Sequence, residues 1–176
     1  MYTLKEVIKK EINMDKKKSI MASIRIIFGN PSKRVVLLYR ISKLCYDKGL
    51  CKIGIILRNR LIIKYSVHIS LNADIGLGLE LKHFNGIIIG DGVKIGSNVI
   101  IYQQVTLGGQ NIGDGVSNNY PTVGDNVVIF AGAKILGNVN IGSNSIIGAN
   151  SVVIKNVEDY SVYAGIPAKK IKEIKE

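Results

Sequence analysis

The chain has 176 residues, of which 47% are hydrophobic, and a formal net charge of +11 at pH 7. This length is sufficient for one well-packed core with a small appendage. No apolar run approaches the roughly 18 residues of a membrane span, and the N-terminus lacks the apolar stretch and cleavage site of a signal peptide. We therefore expect a protein that is neither transmembrane nor exported.

The basic charge is concentrated in the N-terminal third. Residues 1–66 contain 16 Lys or Arg and 4 Asp or Glu, whereas residues 67–176 contain 8 and 9. The two cysteines, Cys45 and Cys51, belong to no CxxC motif or cysteine–histidine cluster. They predict neither a disulfide framework nor a metal site, and a reducing cytoplasm suits this composition.

Two helices are predicted in this basic region, over residues 3–28 and 31–48. The second begins with Pro31 in its first turn and ends at Gly49, which are favoured residues at those positions. Its apolar residues at helical spacing, expected to form the buried face, are Val35, Leu38, Ile41 and Cys45.

Hydrophobic residues then recur every six positions. The thirteen hexads begin at Ile69, Ile75, Leu81, Ile89, Ile95, Ile101, Leu107, Val123, Ile129, Ile135, Ile141, Ile147 and Val153. Seven of these residues are followed by glycine, and most hexads have a small or β-branched residue four positions on. This period is typical of a parallel β-helix, in which each hexad is one short strand and one corner and three hexads close a coil. We expect a mainly β fold, with a helical region over 1–66, a β-helix over 67–160 and a tail over 161–176.

The six-residue period breaks twice. The step from Leu81 to Ile89 is eight residues and contains His83, and the step from Leu107 to Val123 is sixteen residues. The second insertion predicts a protruding loop over residues 109–121. Because a solenoid gives each coil little freedom to vary, insertions are where functional sites are usually built.

Four motifs in order give the chain a family resemblance. They are residues 75–86 around Lys82-His83, residues 104–109 (Gln-Val-Thr-Leu-Gly-Gly), residues 132–138 (Gly-Ala-Lys-Ile-Leu-Gly-Asn) and residues 164–169 (Ala-Gly-Ile-Pro-Ala-Lys). With them the chain resembles the left-handed β-helix acyltransferases, and within these the serine acetyltransferase branch. The resemblance implies a left-handed parallel β-helix, a homotrimer with active sites between subunits, acetyl-CoA in a groove between neighbouring prisms, and His83 as general base.

The chemistry of acetyl transfer suits these residues. Moving an acetyl group from a thioester to a hydroxyl needs a base that changes protonation near neutral pH, and histidine is that side chain. The developing oxyanion needs donors, which the backbone at Gly108 or Gly109 can supply beside bound acetyl-CoA. No metal is required by this chemistry.

The chain departs from serine acetyltransferases at three places. His68 stands where the family has the aspartate that orients the catalytic histidine, and we expect it to assist His83 more weakly, because an imidazole stabilises an imidazolium less than a carboxylate does. Lys82 replaces another aspartate, and Asn119-Tyr120 replaces the Arg-His pair that holds the serine carboxylate. Since a carboxylate is best held by a fixed cation, serine is predicted to be an unlikely acceptor.

A short basic helical region before this solenoid resembles instead the acetyltransferases of capsule and exopolysaccharide clusters, including the colanic acid type. The prediction is therefore an acetyl-CoA-dependent O-acetyltransferase acting on a saccharide hydroxyl, since amide and phenol groups suit sugars. The predicted acceptor-binding residues are Lys82, Asn85, Asn119 and Tyr120. The alternatives are a serine O-acetyltransferase of cysteine biosynthesis and a non-catalytic solenoid scaffold.

Acetyl-CoA is expected along one corner of the solenoid. Ala131 and Ala149 are eighteen residues apart, one full coil, so they should stack and leave room for the pantetheine arm. Lys155, Lys169 and Lys172 match basic or polar positions of related acyltransferases near the nucleotide end of CoA, and lysine is an ordinary phosphate partner.

The basic N-terminal third has two open interpretations. It either caps the open end of the solenoid, as solenoids require, or rests on anionic lipid at the inner face of the cell membrane, because basic residues flanking apolar ones are typical of interfacial helices. No motif for nucleic acid accompanies the charge.

Overall fold

The computed structural model describes residues 3–11 and 29–175. Within them, three helices precede a β-solenoid: α1 (Leu4–Glu11), α2 (Pro31–Asp47) and α3 (Cys51–Tyr65). Of the helix predicted over residues 3–28, only Leu4–Glu11 is described, and the remainder lies outside the described residues. Across these two ranges, no helix combines the length and the apolarity needed to cross a membrane.

Local sequence signals define both ends of α2. The side chain of Asn30 accepts a hydrogen bond from the backbone N–H of Lys33 at 3.1 Å and so caps the first turn. Pro31 follows, where its missing N–H costs nothing. The chain leaves the helix before Gly49, whose φ of +82° favours glycine.

The buried face of α2 differs from the predicted one. Val35, Val36 and Tyr39 are buried, together with Arg40, whereas Leu38, Ile41 and Cys45 are only half-buried. Relative to the predicted orientation, the helix is rotated about its axis so that Tyr39 enters the core. There its hydroxyl is 3.5 Å from the carbonyl oxygen of Ala73. Spacing alone could not show that an arginine shares the buried face.

Arg40 fastens the helices to the first coil of the solenoid. Its guanidinium forms an ion pair with Glu11 of α1, with Nη2 2.7 Å from Oε1. It also donates hydrogen bonds to the carbonyls of Ile75, at 2.6 Å, and of Gly76. Burial of both side chains is tolerated because every charge has a partner.

The solenoid is a three-sided prism of parallel strands. Face one contains β1 (His68–Ile69), β4 (Ile88–Ile89), β7 (Thr106–Gly108), β10 (Lys134–Leu136) and β13 (Val152–Val153). Face two contains β2 (Asp74–Ile75), β5 (Lys94–Ile95), β8 (Thr122–Val123) and β11 (Asn140–Ile141). Face three contains β3 (Glu80–Lys82), β6 (Ile100–Tyr102), β9 (Val128–Ile129), β12 (Ile146–Ile147) and β14 (Ser161–Gly165), with β15 (Ala168–Glu173) antiparallel at its edge.

The strand register accounts for the period and for both breaks. His68 pairs with Ile88, Ile88 with Thr106, Thr106 with Lys134 and Lys134 with Val152. Two of these steps are regular coils of eighteen residues, and the two longer ones hold the insertions. The hexad residues from Ile69 to Val153 all point into a buried core. The predicted mainly β fold is confirmed, and the parallel solenoid is consistent with the left-handed β-helix that the resemblance implies.

One corner of the prism is a column of asparagines. Asn98, Asn126 and Asn144 have φ between +56° and +58°. Each donates to or accepts from the next side chain, at 3.2 Å between Asn98 and Asn126 and 3.0 Å between Asn126 and Asn144. Asparagine tolerates this left-handed conformation better than other non-glycine residues.

Candidate functional site

His83 lies on an exposed corner between faces three and one. Its φ is +51°, and its carbonyl accepts the N–H of Asn85 at 2.6 Å. Phe84 anchors the corner through an edge-on contact with Tyr65, at 5.9 Å between ring centroids. The two inserted residues thus form a fixed turn that presents the imidazole to solvent, and no described side chain forms a hydrogen bond with it.

The corner of the next coil lies directly beside the His83 corner. The carbonyl of Asn85 accepts the N–H of Gln104 at 2.8 Å. In the preceding residue, Gln103, the side-chain oxygen is buried and has no hydrogen-bond partner among the described residues. A buried acceptor without a donor needs an explanation, and sequence reasoning did not single out this residue.

In the described part of the chain, no hydrogen bond joins His68 to His83. The Nε2 of His68 is 3.5 Å from Nη1 of Arg58, a residue of α3. The buried Nε of Arg58 has no partner among the described residues. The assisting role of His68 therefore stays a prediction, and Arg58 is its actual neighbour.

Lys82 forms a salt bridge with the carboxylate of Glu80. The Nζ–Oε1 distance is 2.6 Å, and this hydrogen bond, with the charge of Glu80, raises the pKa of Lys82. Both side chains are exposed, so the pair is screened and contributes little to stability. Lys82 is opposite Tyr102 on the next strand of face three.

The loop over residues 109–121 is organised by a buried aspartate. Asp114, which begins the one-turn helix α4 (Asp114–Ser117), accepts the N–H groups of Gln110 and Asn111, both at 2.6 Å. It also accepts Nδ2 of Asn119 at 3.3 Å. The hydrogen bond from Asn111 is the main cause that lowers the pKa of Asp114. Asn119 is thus held inside the loop.

Tyr120 lies against the corner of the preceding coil. A Cβ atom added at Gly90 would be 3.1 Å from the Tyr120 ring, and one at Gly92 would overlap both that ring and the side chain of Asn118. These two glycines make the space that the half-buried ring occupies. The tip of the loop carries Ile112 and Val116, both fully exposed.

The predicted acetyl-CoA residues lie on the surface of the upper coils. The carbonyl of Ala131 accepts the N–H of Asn150 at 2.8 Å, so Ala131 and Ala149 occupy the same corner in successive coils. Gly108 ends β7 with open space beside it, whereas Gly109 is close to Asp114. The exposed lysines of this set are Lys155 after β13, and Lys169 and Lys172 on β15.

The predicted catalytic and acceptor residues do not converge within one chain. His83, Lys82 and Asn85 lie at the corner between faces three and one, whereas Asn119 and Tyr120 lie at the corner between faces one and two. A site that uses both sets requires two copies of the chain.

A groove under the loop was not anticipated from the sequence. It has a volume of about 430 Å³ and lies on face two, where Asp74, Asp91, Lys94 and Tyr120 are among its lining residues. These residues come from three coils, and the only sequence signal for them is the outward position of Asp74 and Lys94 in their hexads.

Comparisons with known proteins identify relatives of this architecture. Residues 120–155 match the family model described as bacterial transferase hexapeptide (six repeats). The chain is 42% identical over 137 residues to a serine acetyltransferase of Buchnera aphidicola subsp. Schizaphis graminum, covering 78% of this chain and 52% of the relative. It is 49% identical over 107 residues to a serine acetyltransferase of Staphylococcus aureus (strain Mu50), covering 61% of this chain and 49% of the relative.

A solved structure matches almost the whole chain. It is serine acetyltransferase in complex with coenzyme A from Brucella abortus strain S19, with a TM-score of 0.84 and 30% sequence identity, covering 97% of this chain and 68% of that chain. The chain spans about half the length of the curated relatives it matches.

These relatives correct the predicted acceptor. They are named serine acetyltransferases, which overturns the prediction of a saccharide hydroxyl, of polysaccharide biosynthesis and of a closer relation to capsular and colanic acid O-acetyltransferases. That prediction rested on the absence of an Arg-His pair at positions 119 and 120, and in the structure charged residues of both signs line the groove under that loop. The acyltransferase class that the four motifs predicted is confirmed by the same relatives, and the chain belongs to the serine acetyltransferase family of bacterial hexapeptide-repeat transferases.

Proposed function

We propose that the protein is an acetyl-CoA-dependent serine O-acetyltransferase of cysteine biosynthesis. The observation that carries this proposal is the identity of 42% to 49% with proteins of that name, over a segment that includes the exposed His83 corner. Departures at His68, Lys82 and Asn119-Tyr120 alter how the acceptor is held and leave the histidine and the glycine-rich strand in place.

In the proposed reaction His83 is the general base. It takes the proton from the serine hydroxyl as that oxygen attacks the thioester carbonyl carbon. The tetrahedral intermediate then collapses, the carbon–sulfur bond breaks, and the proton passes from His83 to the departing CoA thiolate. Backbone N–H groups near Gly108 and Gly109 are the proposed donors to the oxyanion. Serine gains the acetyl group and CoA leaves with a free thiol.

Acetyl-CoA is the proposed donor. A relative with 30% identity is known in complex with coenzyme A. The small side chains of Ala131 and Ala149 leave one corner open to the pantetheine arm. Lys155, Lys169 and Lys172 are the proposed partners of the phosphate groups, because all three are exposed and a lysine binds phosphate as a point charge.

The proposed assembly is a homotrimer with its sites between subunits. Face three has apolar outward residues in successive coils, Ile100, Val128 and Ile146, and Phe130 beside them is 37% exposed. Face one has the apolar outward residues Ile88, with 45% exposure, and Val152. The outward positions of face two are polar in every coil: Asp74, Lys94, Thr122 and Asn140. Packing faces one and three against other copies would bring a His83 corner beside the loop of a neighbour.

The proposed location is the cytoplasm, where both substrates are available. Contact of the basic helical region with an anionic membrane stays a prediction. The exposed side chains of α3 include Ile53, Ile56 and Ile63 beside Lys52 and Lys64, a composition that fits lipid as well as another protein surface.

The test is a thiol-release assay with acetyl-CoA and L-serine. We expect CoA release to depend on serine and O-acetylserine to be the product by mass spectrometry. Wild-type protein that releases no CoA with serine at millimolar concentration would contradict the proposal. The His83→Ala variant serves as the blank, because it should remain folded and lack transfer.

A further inference from the structure

The groove on face two is lined by residues of opposite charge that form no ion pair with each other. Asp74 on β2 and Lys94 on β5 are partners in the strand register, and neighbouring strands are only about 4.8 Å apart. In the described part of the chain, neither side chain forms a salt bridge or hydrogen bond. Both are therefore available to a ligand that enters the groove.

A second carboxylate in the groove, that of Asp91, is oriented by a hydrogen bond from Ser70. The hydroxyl of Ser70, itself 4% exposed, accepts the N–H of Asn72 at 3.0 Å and donates a hydrogen bond to Oδ1 of Asp91. This part-buried hydrogen bond restrains the carboxylate of Asp91, which is an exposed residue. A carboxylate fixed in advance binds a cation with less loss of entropy than a mobile one.

The loop that borders the groove contains no basic side chain. Residues 109–121 contain no lysine, arginine or histidine. Among the described lining residues, Lys94 is the single positive charge. An acceptor with a carboxylate therefore has Lys94 as its available partner there, and the half-buried ring of Tyr120 forms the adjoining wall.

We propose that this groove is the subsite for the charged ends of the acceptor amino acid, with the ammonium group against Asp91 and the carboxylate against Lys94. The proposal rests on the proposed function and goes further by naming what holds serine. A zwitterion matches the two charges of opposite sign, neither of which has an ion-pair partner among the described residues of the groove. Ser70 already orients the Asp91 carboxylate before a ligand binds, so less conformational entropy is lost on binding.

The experiment compares three acceptors on the full chain. L-Serine carries both charges, L-serine methyl ester lacks the carboxylate charge, and 3-hydroxypropanoate lacks the ammonium group. We expect Lys94→Met to lower kcat/KM for serine about 10- to 100-fold, the usual effect of losing a charged hydrogen bond, and to leave the methyl ester unaffected. Asp91→Asn should lower kcat/KM for serine and leave 3-hydroxypropanoate unaffected. The KM for acetyl-CoA should not change in either variant.

Lys52→Met is the matched control, because it removes the same charge from an exposed position of α3 outside the groove. If Lys94→Met keeps the wild-type preference for serine over its methyl ester while the wild type acetylates serine, the groove assignment is wrong and the proposed function stands. If the wild type does not acetylate serine, both are overturned.

Discussion

At the scale of single residues, His83 is the position on which activity is expected to depend. We predict that His83→Asn lowers kcat by about 10² to 10⁴, the usual contribution of a general base. Folding should be unaffected, because the side chain is exposed and no described residue bonds to it. The measurement is steady-state CoA release, with circular dichroism as the control. A variant with near-normal turnover would remove His83 from the mechanism.

Asp114 is predicted to control the order of its loop in a pH-dependent way. Its pKa is lowered in the folded protein, so its contribution is complete above the ordinary aspartate value of 3.8 and disappears as pH falls through the lowered value. We expect the amide resonances of Gln110 and Asn111 to keep their neutral-pH positions to about pH 4 and to change below it. In Asp114→Asn they should already be altered at pH 7, and unaltered resonances there would refute the assignment.

At the scale of elements, the asparagine column is predicted to stabilise successive coils. Asn126→Ala places a Cβ in the left-handed region without a polar group and breaks two side-chain hydrogen bonds, so we expect a loss of about 2 kcal/mol in the free energy of unfolding. Asn126→Gly should cost less, because glycine adopts this conformation freely. Urea unfolding of the two variants tests the order, and equal losses would show that backbone conformation is not the cause.

The elements also differ in how far the sequence predicted them. The strands could be predicted from the hexads, because the residues that pack into the core of the solenoid recur at a fixed interval. The rotation of α2 did not follow, since the burial of Arg40 depends on Glu11 and on two carbonyls of a distant coil. The His83 corner was visible as an eight-residue step.

The acceptor site was harder to predict than the corner for a physical reason. The proposed site is lined by Asp74, Asp91 and Lys94, which come together only because the coils stack, and by Tyr120 from the end of a loop. Nothing in a local motif marks such residues as neighbours. Reasoning from the missing Arg-His pair at positions 119 and 120 therefore led to the wrong acceptor.

At the scale of the whole molecule, assembly is expected to depend on the apolar outward faces. We predict that the protein is a trimer by light scattering and that Ile88→Glu, on β4 of face one, shifts it towards monomer. A charge in a packed interface is strongly unfavourable unless paired. Thr122→Glu on the polar face two is the matched control and should leave the mass unchanged. A trimeric Ile88→Glu variant would place face one outside the interface.

The hairpin of β14 and β15 has a consequence for solubility. A parallel solenoid ends in open strand edges, which are templates on which further chains can stack into fibres. Here β15 runs antiparallel along face three and carries Lys169, Lys170 and Lys172, while α2 and α3 cover the opposite end of the prism. An additional strand on face three would meet an antiparallel strand and positive charge at one end and helices at the other. The edge of face three is therefore capped, and we expect this to hinder end-to-end stacking of chains.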